Sequence, residues 1–264
     1  MTMVADGSSS SGALWRSIRR EAETALANDP IFGRSLSASI LDHSDLGAAV
    51  AYQIGQRLGK SASDRRQFAH AANQAFAASP DLVEAARRDL AGIVLRDPAP
   101  TAFLPALINF KGSVALQAWR VSNWLWQQNR RDLGLLLQSE SSDSLQVSIH
   151  PSASIGTAVF LDHATGVVIG SFVTIGDEVT ILQNVTIGRN VETPNRAPKI
   201  GQDRRGIGRD VRRAKRLYGG RCTRAPDQLP RTGSSLNPGS VAPNKLAQSP
   251  HPVTVRRHRR NPRR

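Results

Sequence analysis

Residues 147–187 read VSIHPSASIGTAVFLDHATGVVIGSFVTIGDEVTILQNVTI. Ile149, Ile155 and Leu161 fall six apart; after one eight-residue step, Ile169, Ile175, Ile181 and Ile187 fall six apart again. A small or β-branched residue stands two places before each, at Val147, Ala153, Val159, Val167, Val173, Val179 and Val185. A period of six matches neither the 3.6 of an α-helix nor the 2 of a flat strand. It matches a β-helix, in which short strands stack coil on coil and each coil buries its aliphatics against the next. Glycine follows the beat at Gly156, Gly170, Gly176 and Gly188, which places it at corners where an unusual backbone angle is expected.

Upstream the pattern is helical. Ala, Leu, Glu and Arg dominate, and apolar residues return at three and four. The spacing predicts helices over Leu14–Leu26, Ile31–Leu41, Leu46–Leu58, Asp64–Ala78, Pro80–Leu95 and Phe110–Gln128, with Ser79 as cap before Pro80. Trp119, Trp124 and Trp126 on the last of these read as core packing. Residues 1–11 are Ser/Gly-rich and are expected to be disordered, 12–130 to form one helical domain, 130–144 to connect, and 145–201 to form the β-helix. The fold class is α+β, a helical part followed by a truncated left-handed parallel β-helix.

Downstream of Ile200 the beat stops and Arg, Pro, Gly and Ser take over. The net charge of +14 falls wholly in residues 202–264; the first 201 residues carry equal numbers of basic and acidic side chains. Such a segment buries too little apolar surface to offset chain entropy, so it is expected to be disordered. A solenoid that stops without a cap exposes an open edge. The tail therefore reads as a frame-shifted translation of further coils, its rival being a genuine basic tail for nucleic acid or acidic partners. Cys222 is the lone cysteine, which excludes an intrachain disulfide and suits a reducing compartment. There is no signal-peptide pattern and no apolar run of membrane-spanning length, so the expected location is cytoplasmic.

The eight-residue step holds Leu161-Asp162-His163-Ala164-Thr165-Gly166, two residues more than the repeat needs. A loop extruded from a stiff coil is a rigid mount for a side chain, and imidazole titrates near neutrality, so His163 is a candidate general base. The competing reading is a solvated turn histidine. His150, between the beat residue Ile149 and Pro151, reads as structural. No His, Cys, Asp and Glu cluster has metal-ligand spacing, and no phosphate-binding Gly-rich loop appears.

Over about residues 13–201 the chain resembles the bacterial serine O-acetyltransferases, which belong to the hexapeptide-repeat acyltransferases. The resemblance rests on Arg96-Asp97-Pro98-Ala99, Lys111-Gly112, Ala115-Leu116-Gln117-Ala118, Trp124-Leu125-Trp126 and Ile149-His150-Pro151. It continues through Leu161 to Gly166, Ile181-Leu182-Gln183, Val185-Thr186 and Pro198-Lys199-Ile200. It implies an acetyl-CoA-dependent acetylation of serine for cysteine biosynthesis, with no metal. His163 would be the base, and Asp97, Asp162 and Arg196 would hold the serine; no acetyl-CoA-binding residue is assigned. It also implies sites between subunits of a homotrimer, commonly paired into a hexamer. Three departures stand out: Ser148 where the family has an aspartate that orients the imidazole, Ala197 where it has histidine, and Arg189, Glu192 and Pro194 where it has a glycine-rich loop. The family's C-terminal peptide ends in isoleucine and docks into cysteine synthase; this chain ends Arg263-Arg264, which argues against that complex. The alternative is a degenerate trimeric paralogue that binds partners or nucleic acid through its tail.

Overall fold

In a computed structural model, which describes residues 8–97, 99, 102–188 and 198–201, the six-residue beat becomes three parallel ladders. The strands are β1 (Val147–Ile149), β2 (Ser154–Ile155), β3 (Phe160–Leu161), β4 (Val167–Ile169), β5 (Thr174–Ile175), β6 (Thr180–Ile181), β7 (Thr186–Ile187) and β8 (Lys199–Ile200). They pair as β1-β4-β7, β2-β5-β8 and β3-β6, every third strand stacking in register on one face of the coil. Val147 pairs with Val167, twenty residues on, whereas Val168 pairs with Thr186, eighteen residues on. The two extra residues of the first coil therefore lie between β3 and β4, where the sequence places them. Every beat aliphatic and its partner two places before is buried, none more than 9% exposed. Each such burial contributes about 1.5–3 kcal/mol, which is what holds strands of two or three residues together.

The corner glycines require correction. Left-handed φ falls three residues before the beat, at Gln146, Ala158, Gly166, Phe172, Glu178 and Asn184, and only one of these is glycine. Gly156, Gly170, Gly176 and Gly188 are not left-handed. At Gly156 the reason for glycine is close approach: a Cβ there would collide with the Asp177 carboxylate of the next coil.

Among the described residues, eight α-helices precede the coils: α1 (Ser8–Asn28), α2 (Gly33–Leu36), α3 (Leu46–Leu58), α4 (Ala62–Ala78), α5 (Pro80–Arg96), α6 (Phe103–Ile108), α7 (Lys111–Gln127) and α8 (Arg131–Leu145). Helix α1 starts at Ser8, so residues 8–11 are helical where composition argued for disorder. The Ile31–Leu41 prediction resolves into a 3-10 turn at Pro30–Phe32, α2, and a π turn at Ser37–Leu41. Helix α4 is closed by a capping box between Ser61 and Asp64. Ser79 precedes α5, but its hydroxyl makes no cap bond; its carbonyl accepts from Leu82 instead. Helix α8 occupies what was read as a connector, because its Leu133, Leu137 and Leu145 dock on the shared core while Ser139, Ser142 and Ser144 face outward. All described residues fall in one compact unit, and one hydrophobic core runs from α1 to β7. Residues 202–264, with the disorder, frameshift and tail-binding expectations, lie outside the described residues.

Helices α5, α7 and α8 also close the open edge of the first coil. Its backbone groups have no preceding coil to pair with, and an unsatisfied buried one costs about 1–3 kcal/mol. Side chains substitute: Ser141 donates to the Val147 carbonyl, Trp119 to that of His150, Asn123 to those of Pro151 and Ala153, Arg120 to that of Gly156 and Arg96 to that of Ala158. At the centre lies Asp89, fully buried. One of its oxygens accepts from the Val159 N–H at 3.0 Å; the other accepts from Gln117 at 2.9 Å and from Arg120 Nη2 at 2.7 Å.

Burial pushes the Asp89 carboxyl above the usual carboxylate range, opposed by the Arg120 charge, the Gln117 amide and the Val159 N–H. A raised carboxyl favours the protonated fold, so this linkage contributes stability at acid pH and loses it as pH rises through the folded value. Arg120→Met strips away the opposing charge and is expected to cost about 3–5 kcal/mol at neutral pH. The loss should be smaller at about pH 4, near the ordinary carboxylate range. Urea unfolding at the two pH values checks this; an equal loss at both would contradict it.

Candidate active site

The extra residues between β3 and β4 form a tight loop. The ladder reaches Asp162, whose N–H donates to the Ile181 carbonyl, and the chain then doubles back with Thr165 N–H on the His163 carbonyl and Val167 N–H on that of Ala164. Gly166 N–H on the Gln146 carbonyl returns it to the coil. His163 and Ala164 both have left-handed φ, 54° and 59°. Each such non-glycine conformation costs on the order of 1–3 kcal/mol and persists only where the surroundings over-determine it. Ala164 supplies much of that determination: its methyl is fully buried, against the start of α7. Glycine is needed opposite it, since a Cβ at Gly112 would collide with the Leu161 carbonyl oxygen and crowd Ala164 Cβ at 3.0 Å.

The buried methyl turns its neighbour outward. The His163 side chain is 76% exposed, and its Nε2 stands 3.6 Å from Asp162 Oδ1. Beside the loop an open cavity of about 440 Å³ is lined by Ser142, Gln146, Ser148, Thr165, Gly166, Val167 and Val168. His163 itself does not line that cavity; the loop reaches it through Thr165 and Gly166. What the loop presents is an accessible imidazole on a rigid mount with a carboxylate beside it, which suits proton abstraction from an alcohol.

Of the residues singled out from sequence, the structure brings together His163 and Asp162. Asp97 ends α5 and accepts a hydrogen bond from the Ala99 N–H at 2.9 Å; among the described residues it pairs with neither. Ser148 lines the cavity, and its hydroxyl accepts from Gln138 Nε2 at 3.1 Å rather than from the His163 ring. Gln138 was not foreseen, because it belongs to the unrecognised α8. Arg196, Ala197 and the segment 189–195 lie outside the described residues. His150 is built into the wall: Nδ1 meets the Ser152 hydroxyl at 2.8 Å, and the ring stands edge-on to Trp126 at 5.3 Å. Among the described residues no cluster of three or more His, Cys, Asp or Glu could hold a metal ion, and no helix is long and apolar enough to cross a membrane.

Residues 14–118 match the family model for the serine acetyltransferase N-terminal region. The serine acetyltransferase of Escherichia coli K12 is 37% identical over 157 residues, which are 60% of this chain and 58% of that protein. The chain thus spans a little over half the length of the curated relatives it matches. The crystal structure of the Brucella abortus serine acetyltransferase superposes with a TM-score of 0.69 at 39% identity, over 72% of this chain and 78% of that one. A serine acetyltransferase solved in complex with CoA gives 0.69 at 33% identity, over 73% and 80%. At that identity and coverage, the chain belongs to the serine acetyltransferase family.

Proposed function

We propose that the chain transfers the acetyl group of acetyl-CoA to the hydroxyl of serine, with His163 as general base. The observation that carries this reading is the exposed imidazole held on a strained, two-residue insertion of a β-helix, in a chain of this family. His163 takes the hydroxyl proton, the oxygen forms a bond to the thioester carbonyl, and collapse of the adduct breaks the carbon–sulfur bond. The departing thiolate recovers the proton from the imidazolium and leaves as CoA thiol. Holding both substrates in one orientation supplies the proximity contribution.

In this reading Asp97, Asp162 and Arg196 hold the serine, the carboxylates facing its ammonium and the guanidinium its carboxylate. The active form is a trimer or hexamer acting in the cytoplasm.

Purified protein given acetyl-CoA and serine should release free thiol, detected colorimetrically. His163→Ala is expected to lower the rate by about 10²–10⁴, the usual contribution of a positioned base; equal rates for the two proteins would remove His163 from the mechanism.

Ser148→Asp restores a carboxylate on the cavity wall. It is expected to raise kcat by at least about tenfold, a fraction of the roughly 10⁴ lost when a serine-protease triad loses its orienting carboxylate. A kcat at or below that of the unaltered chain would show that position 148 does not orient the ring.

A further inference from the structure

Lys111 and Gly112 open α7 and meet two successive residues of the His163 loop. Gly112 faces the buried methyl of Ala164. Lys111 Nζ donates to the Thr165 hydroxyl oxygen at 2.6 Å, across 54 residues of sequence. From the coil side the loop is held through its backbone, by the Gly166 N–H on Gln146 and by the Thr165 carbonyl, which accepts the Asn184 N–H at 2.7 Å. Lys111 is different in kind, a side-chain tether from the helical layer to the loop's outer face.

The tether is anchored on something rigid. Trp119, Arg120 and Asn123 fix α7 to the first coil farther along its length, so its first residue is placed independently of the Lys111 bond. The loop, by contrast, carries two consecutive left-handed residues that relax unless they are held.

We propose that Lys111 is a positioning residue for His163, acting through Thr165. This deepens the acetyltransferase reading and rests on it. Lys111 clamps Thr165, Gly112 seats Ala164, and the backbone of His163 is thereby held between β3 and this clamp. Without the ammonium the loop eases toward ordinary φ and carries the imidazole with it. A displacement near 1 Å in a reacting group costs on the order of 10²-fold in rate.

The test compares Lys111→Met, Lys111→Arg, Thr165→Val and the double variant Lys111→Met/Thr165→Val. The expected result is a kcat about 10- to 100-fold lower in Lys111→Met and in Thr165→Val, with KM for serine and for acetyl-CoA within about twofold. The double variant should be no slower than the slower single, and Lys111→Arg should regain most of the rate. Amide exchange at Ala164 and Thr165 should rise about tenfold in both single variants, with the midpoint of thermal unfolding little changed.

Unchanged kcat, a multiplicative double variant, or a rise in KM alone overturns the proposal; the last would make Lys111 a substrate contact. Exchange that stays at the unaltered rate overturns it as well. If the unaltered chain releases no thiol, the functional reading fails, and the exchange rates by themselves decide whether Lys111 braces the loop.

Discussion

A stacked coil has to end somewhere, and its first rung presents backbone groups with nothing below them. Here the helical layer supplies what a preceding coil would have supplied. Indole, guanidinium, amide and hydroxyl donors meet the first-coil carbonyls, and the Asp89 carboxylate takes the Val159 N–H. Asp89 and Arg120 are the demanding part of that cap. Two desolvated charges are tolerated because each finds several partners at good distances, and either one alone would be an uncompensated buried ion. The pair therefore dictates how α5 and α7 sit on the coil, and α7 cannot slide without breaking it.

That fixed seating reaches the chemistry through one helix. The face of α7 that closes the first rung, Trp119, Arg120 and Asn123, lies about two to three turns from the end that presses on the insertion. Gly112 admits Ala164 because it has no side chain, and the buried methyl forces the preceding residue to the surface. Exposure of His163 is thus a consequence of burial next door. The contacts that hold the two costly left-handed residues in place also keep the loop stiff, and stiffness is what a general base needs.

The coils were legible because each beat residue performs one repeated task, burial on the residue one coil away, twenty or eighteen places along. The insertion was legible for the same reason, as a break in arithmetic that the Val147–Val167 and Val168–Thr186 registers reproduce. The cap was not. Asp89 and Val159 are 70 residues apart, and Arg120 and Gly156 are 36 apart, so no local pattern announces either pair. Helix α8 was missed because Ser139, Glu140, Ser141 and Ser142 resemble a linker, while the leucines that dock it are sparse. The corner glycines were misread by the general habit of equating glycine with positive φ. At Gly156 the constraint is the distance to the next coil, and of the six left-handed corners five are filled by Gln, Ala, Phe, Glu and Asn and one by Gly166.

Position 148 ties these threads to the proposed reaction. With serine there and Gln138 holding its oxygen, the wall of the cavity offers the ring no negative charge from that side. Among the described residues the carboxylate paired with the ring is Asp162, 3.6 Å from Nε2. In the proposed reaction that same carboxylate also faces the substrate ammonium, so one side chain both neighbours the base and holds the substrate. An aspartate at 148 would divide those two tasks, leaving Asp162 to the ammonium while the second carboxylate orients the ring.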